Sequence, residues 1–221
     1  MKGLYTYRLK YAKTDKVRYI SHLDFVRVLN RAVRRSELPV THTEGFNPHP
    51  VMTVALPLSV GVTSECEYID IGFDEQVLVC DAISRFNEAF ENGIEVLDAK
   101  ILGVDDIPFR DIDTASYRVE IEMESETLPD IDAFMARKDI LMDKRSKSGV
   151  KEVDIKADIW SLKVSHHNGM FCTLEMTTSA GNTFNLKPEL VVAALAKYLP
   201  NWECVFMQVH RTGLYAKGKM L

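Results

Sequence analysis

Tyr5, Tyr7, Leu9 and Tyr11 alternate with Thr6, Arg8 and Lys10, a period of two that predicts a half-buried strand near the start of the chain. The period then changes. Phe25, Val28, Leu29, Ala32 and Val33 recur at helical spacing up to about Ser36, and Ser21 stands where an N-cap belongs, with Asp24 three residues on as a variant of the capping box. Leu38–Pro39 ends this helix, because a residue before proline is driven out of the helical region. An uncharged run over Val51–Val60 follows, then a strand around Tyr68–Phe73, a helix over roughly Gln76–Phe90 and a strand at Ile94–Leu102.

Gly103–Thr114, rich in aspartate and holding Pro108, reads as a linker. Beyond it Tyr117, Val119, Ile121 and Met123 alternate with Arg118, Glu120, Glu122 and Glu124, another strand with one face buried. The remaining order is a helix near Asp130–Ala136, strands near Ile140–Arg145, Val153–Val164 and Phe171–Thr177, a helix opened by Pro188–Glu189 and running to Tyr198, and a strand at Glu203–Arg211. Both halves therefore read close to strand, helix, strand, strand, helix, strand, although neither repeats the other residue by residue. The expected fold is α+β: two tandem ferredoxin-like halves with antiparallel sheets, residues 1–102 and 115–221, joined by the linker 103–114.

Composition narrows the function classes. The chain has 221 residues, 46% of them apolar, enough to build real cores. No run approaches the roughly 20 apolar residues that cross a bilayer, so a cytoplasmic protein with no membrane partner is expected. Cys66, Cys80, Cys172 and Cys204 are far apart, without C-x-x-C, and read as reduced core residues; they lack the clustering that holds an iron–sulfur centre. Charge is segregated: residues 1–61 carry +6, residues 62–142 carry −15 and residues 143–221 carry +4, within a net −5. Such segregation points to an anionic partner for the basic parts, an acidic strand face being equally consistent with a solvated surface.

The basic third holds the candidate chemistry. Arg27, Arg31, Arg34 and Arg35 fall on one helix face opposite Phe25, Leu29, Ala32 and Val33, and planar guanidinium groups suit phosphate. The bland alternative is a solvated face partly satisfied by Asp24 and Glu37. "THTEGFNPHP", residues 41–50, follows: Gly45 can take positive φ, while Pro48 and Pro50 fix their own φ and extend Asn47 and His49, so Phe46 and His49 would stand on a preshaped loop. His49 there could stack on a nucleotide or act as a general acid or base, and a plain turn between strands accounts for the same residues. Lys144, Arg145, Lys147 and Lys151 surround Gly149 at an expected hairpin tip, able to touch phosphate without reading sequence. His22, His42 and His49 with Asp24 or Glu44 match no standard metal spacing, so no metal is assigned. Phosphate-loop, dinucleotide, H-E-x-x-H and G-x-S-x-G motifs are absent, as is the P-C-x-x-C partner that the H-x-E of His42–Glu44 would need in a zinc deaminase.

The block "YISHLDFVRVLNRAVRRSELPVTHTEGFNPHP", followed by "ALPLSVG" and later by "KEVDIK" and "NLKPE", resembles the family of bacterial proteins called radical-SAM-linked or radical-SAM-associated, whose function is unknown. The resemblance covers nearly the whole chain and implies a radical SAM protein as partner. Any iron–sulfur cluster and S-adenosylmethionine would then sit on that partner, with no cofactor held by this chain. The matching positions are Ser21, His22, Leu23, Asp24, Arg34, Arg35, Gly45, Phe46, Asn47, Pro48, His49 and Pro50, with Asp154 and Lys187–Pro188–Glu189 later. The expectation joining both lines is an RNA-binding accessory protein acting with a radical SAM enzyme on tRNA or ribosomal RNA. Its phosphate contacts would be Arg27, Arg31, Arg34, Arg35, Lys144, Arg145 and Lys147, and its base contacts Phe46, Asn47 and His49. The alternatives are a metal-independent endoribonuclease using His49 or His22, and a protein scaffold that docks the radical SAM partner through the acidic segment.

Overall fold

A computed structural model describes residues 4–146, 149–181 and 184–221. Two compact units divide the chain between Phe109 and Arg110, inside the stretch read as a linker.

The first unit runs β1 (Tyr5–Lys13), α1 (His22–Ser36), β2 (Met52–Val54), β3 (Thr63–Phe73), α2 (Val79–Ala89) and β4 (Ile94–Ile101). Its strands lie in the order β4, β1, β3, β2, every neighbouring pair antiparallel. Register follows the alternation: Tyr7 stands opposite Ile71 and Ile101, and Leu9 opposite Ile69 and Ala99. Phe25, Val28, Leu29 and Val33 of α1 and Phe86 of α2 join Tyr7, Leu9, Tyr11 and Phe73 in one core. Tyr11 stacks on Phe25 with ring centroids 5.3 Å apart. Each such side chain, fully buried, is worth about 1.5–3 kcal/mol against exposure.

β1 departs from its pattern at Tyr5, read as inward but exposed at the strand's start, and more consequentially at Arg8. Arg8, on the side expected to face water, is only 2% exposed. Its guanidinium makes a two-pronged pair with Asp70 on β3 at 2.7 and 2.8 Å, donates to the Ile107 carbonyl at 2.8 Å and lies 4.1 Å from the centre of the Phe109 ring. Residues 107–109, part of the stretch read as a linker, thus cover the outer side of the strand at that point.

In the second unit the elements are β5 (Thr114–Met123), α3 (Ile131–Met135), β6 (Leu141–Ser146), β7 (Gly149–Asp154), β8 (Ile159–Asn168), β9 (Phe171–Ser179), α4 (Pro188–Tyr198), β10 (Cys204–Ala216) and β11 (Lys219–Met220). The sheet is ordered β10, β5, β9, β8 with antiparallel neighbours; β11 pairs with β10, and β6 with β7 forms a separate hairpin. Tyr117, Val119, Ile121 and Met123 are buried, as are Leu174, Met176, Val191, Leu195 and Trp202. The fold class is α+β with antiparallel sheets.

Val153–Val164, read as one strand, is broken in two. The Asp154 carboxylate accepts the backbone N–H groups of Ile140 and Lys156, both at 2.9 Å, and a short 3-10 turn at Lys156–Asp158 redirects the chain from β7 into β8. Pro188 opens α4 within its first turn, as its missing N–H permits. Among the described residues no helix is long and apolar enough to cross a membrane.

Candidate nucleic-acid interface

α1 begins at a built cap. Ser21 Oγ accepts the Asp24 backbone N–H at 3.2 Å and donates to the Asp24 carboxylate at 2.7 Å. That hydrogen bond, with a second from Arg27, holds the Asp24 carboxyl below its ordinary pKa. Phe25, Val28, Leu29, Ala32 and Val33 are buried, whereas Arg27, Arg31, Arg34 and Arg35 are all exposed. Glu37 takes φ of 52° and closes the helix in the left-handed conformation.

Each arginine is held differently. Arg27 pairs with Asp24 at 2.7 Å, one turn back on its own helix. Arg31 reaches Glu91, just past α2, at 3.9 Å, and both remain more than half exposed. Arg35 donates to the Ala89 carbonyl at the end of α2. For Arg34 the described residues supply neither a carboxylate nor a hydrogen-bond partner. Two of these cations thus touch side chains of modest hold, since exposed pairs contribute about 0–1 kcal/mol, and none is sequestered.

The loop over residues 41–50 is anchored at its root and open at its tip. Val40 bridges to Phe73 and His42 to Pro50. Thr41 Oγ1 donates to Asp74 at 2.6 Å, Thr43 N–H to the His49 carbonyl at 2.8 Å, and His49 N–H to Thr43 Oγ1 at 3.0 Å. Gly45 sits at φ 131°, where a side chain would be strained. The tip residues Glu44 to His49 are exposed, and Phe46 is fully so. Burial cannot account for Phe46.

The two candidate catalytic histidines are not neighbours. His22 opens α1, while the loop carrying His49 is rooted at Val40, four residues beyond the last turn. α1 is about 22 Å long over its 15 residues, so the histidines are rooted at its opposite ends. Arg34 and Arg35, in the last turn, share the loop's end. His22 instead lines a small cleft with Ser21, Ile20, Phe25, Lys13 and Glu67. Exposed Tyr19 and Leu23 flank it, a feature unread in the sequence because both sit within the same motif as the core-facing Ile20 and Phe25.

Among the remaining candidates, Lys144 is not a free hairpin cation: it donates to the Asn185 carbonyl at 3.2 Å and sits 3.7 Å from the Phe184 ring centre. Arg145 is described only as backbone in β6, and Lys147 lies outside the described residues. Asp154 holds the β7–β8 turn, and the two N–H groups it accepts depress its pKa. Lys187 is exposed just before α4, while Pro188 is buried. All four cysteines are free; Cys66 and Cys172 are core residues, but Cys80 is exposed at the start of α2, against the reading of all four as core. Burial pushes the Cys172 thiol up to about 11. No three His, Cys, Asp or Glu side chains converge in metal-binding fashion among the described residues.

Residues 6–188 match a family described as an uncharacterized protein conserved in bacteria (DUF2344). The chain belongs to it. No curated protein matches the chain. Two solved structures are similar: a Cbf5-Nop10-Gar1 complex, at 10% identity and TM-score 0.48 over 93% of this chain and 48% of that one, and an archaeal box H/ACA sRNP Nop10-Cbf5 complex, at 8% identity and TM-score 0.44 over 91% and 46%. The chain spans about half the length of those structures' matched chains.

Proposed function

We propose that this member of the family is an RNA-binding accessory protein that works with a radical SAM enzyme in tRNA or ribosomal RNA modification or processing. The observation that carries the reading is the α1 surface: four arginines on one exposed helix face, one without a partner among the described residues, end beside a pinned loop that presents a fully exposed phenylalanine. Guanidinium groups in a row follow a phosphate backbone, and an aromatic ring held clear of the core stacks on an unpaired base. Because Thr43 and His49 lock the loop beforehand, little conformational entropy is lost on binding. The radical SAM partner rests on the SHLD to GFNPHP motif. Iron–sulfur cluster and S-adenosylmethionine belong to that partner in this reading, as the cysteines here are dispersed. The two units are read as tandem ferredoxin-like halves, supported by the shared strand order of fourth, first, third, second in each.

Retention of total cellular RNA by the purified protein at two salt concentrations tests the reading. Four phosphate contacts to single-stranded RNA give a slope near −0.7 per contact in log–log form, so affinity falls about 50-fold between 50 and 200 mM salt. Arg31→Glu/Arg34→Glu, on an exposed face, leaves two contacts and a fall of about 7-fold. Equal RNA retention by both proteins, or none by either while both are folded, overturns the assignment.

A further inference from the structure

The geometry points to a second interaction surface, on the outer side of the β10–β5–β9–β8 sheet: a slot that takes an arginine-bearing segment of a protein partner. Glu122 on β5 stands directly opposite Phe206 on β10 and Phe171 on β9. Both rings are more than half exposed, at 53% and 56%. Adjacent strands lie about 4.8 Å apart, so the two phenyl walls are rooted roughly 9–10 Å from each other with the carboxylate between them. A guest stacked between two rings needs two van der Waals separations of about 3.5–4 Å, or about 7–8 Å, and Glu122, Phe171 and Phe206 line one open cavity, so an alkyl stem or guanidinium plane fits above the carboxylate.

Glu122 is half-buried and has no ion-pair or hydrogen-bonding partner among the described residues. The next row along the sheet is Gln208, Glu120, Thr173 and His166, which line the same cavity. Arg118, in the row beyond, approaches Glu120 at 4.0 Å, and Lys163 pairs with Glu175 in that row at 2.8 Å, so two cations face three carboxylates along the face. Negative charge is therefore left over at the Phe171/Phe206 end. Phosphate would be repelled there, whereas a guanidinium gains a carboxylate and two ring faces at once. Met170 and Val205, the residues preceding the two phenylalanines in sequence, are exposed as well. Apolar surface exposed beside both rings suits apolar residues flanking an arginine in a polypeptide more than it suits a lone cation.

The test is NMR on the full-length protein carrying carbon-13 in the Phe rings and Glu carboxyls, titrated with N-acetyl-arginine amide, N-acetyl-citrulline amide, spermidine and the peptide acetyl-Leu-Arg-Leu-amide. Saturable shifts of Glu122, Phe171 and Phe206 are expected with arginine amide and at least tenfold tighter with the peptide. Citrulline, of the same shape but neutral, should leave them unmoved. Glu122→Gln, nearly isosteric, and Phe206→Leu should each weaken the peptide at least tenfold. Equal response to citrulline, or a peptide unaffected by both substitutions, overturns the slot as a cation site. Spermidine binding more tightly than the peptide overturns the polypeptide partner. RNA retention is read on α1 and should be unchanged in both variants, which keeps the two assignments separable.

Discussion

Replacing Arg8 by methionine removes a guanidinium that ties β1, β3 and residues 107–109 together while keeping most of its apolar volume. Arg8 is 2% exposed, and Asp70 in the pair is 18% exposed. Deleting one member of a buried pair costs about 3–5 kcal/mol, because the other charge is left without compensation. The Ile107 carbonyl, which accepts from Arg8 at 2.8 Å, is orphaned as well, at about 1 kcal/mol or more. Arg8→Met should therefore lose about 4 kcal/mol in urea denaturation followed by far-ultraviolet circular dichroism, and roughly 10 °C in Tm for a chain of this size. The double replacement Arg8→Met/Asp70→Leu removes both charges, so it should recover at least about 2 kcal/mol of that loss, since an apolar pair of similar volume is often as stable as a buried ion pair. A cost below about 1 kcal/mol for the single variant, or a double variant as unstable as the sum of its singles, would refute the assignment of Arg8 as the fastener of this strand pair.

Gly181 has φ of 149° and an added Cβ there would lie 2.3 Å from the Ile112 carbonyl oxygen, so Gly181→Ala should destabilise by about 2 kcal/mol or more in the same assay, whereas Gly45→Ala, with open space around it, meets only backbone strain of about 1–2 kcal/mol. Asp24, Asp106, Asp154 and Glu175 are all held below their ordinary pKa, so each favours the folded state at neutral pH and that contribution is lost as pH falls below about 4.5 toward the depressed values; acid titration of Asp154→Asn should show a shallower loss through that window than the parent. Iodoacetamide at pH 8 should label exposed Cys80 first and leave Cys172 unmodified in the folded protein, because Cys172 is buried with its thiol pKa pushed up to about 11. Phe46→Ala should change stability by less than about 0.5 kcal/mol, the ring being fully exposed, yet weaken RNA retention by about 1–3 kcal/mol if the ring stacks on a base.

Features that depend on a few consecutive residues were legible from the chain alone. The α1 helix, its Ser21 cap, its stop near Leu38–Pro39, the inward set Phe25 to Val33 and the outward arginine stripe all follow from local spacing, and the structure places them as read. Residue-level alternation likewise announced β1 and β5. A preshaped loop could be read from Gly45, Pro48 and Pro50, but its locks could not: Thr43 meets His49, and Thr41 meets Asp74 from 33 residues away.

What the tertiary structure alone decided is which residues from distant strands stand side by side. Arg8 looked like a solvent-facing strand residue until β3 brought Asp70 to it and the supposed linker brought Ile107 and Phe109. His22 and His49 belong to one motif, yet α1 separates the elements that carry them, so they do not form a pair. Lys144 read as a mobile phosphate contact, and its engagement by Phe184 and Asn185 depends on how the hairpin meets the segment before α4. Glu122, Phe171 and Phe206 are 49 and 35 residues apart in turn, and their row exists only because β5 lies between β9 and β10 in a fixed register. Periodicity encodes which face a side chain takes, because that is a property of the local backbone; it carries no information about the neighbour across the ladder, because pairing is set by the burial of the whole sheet.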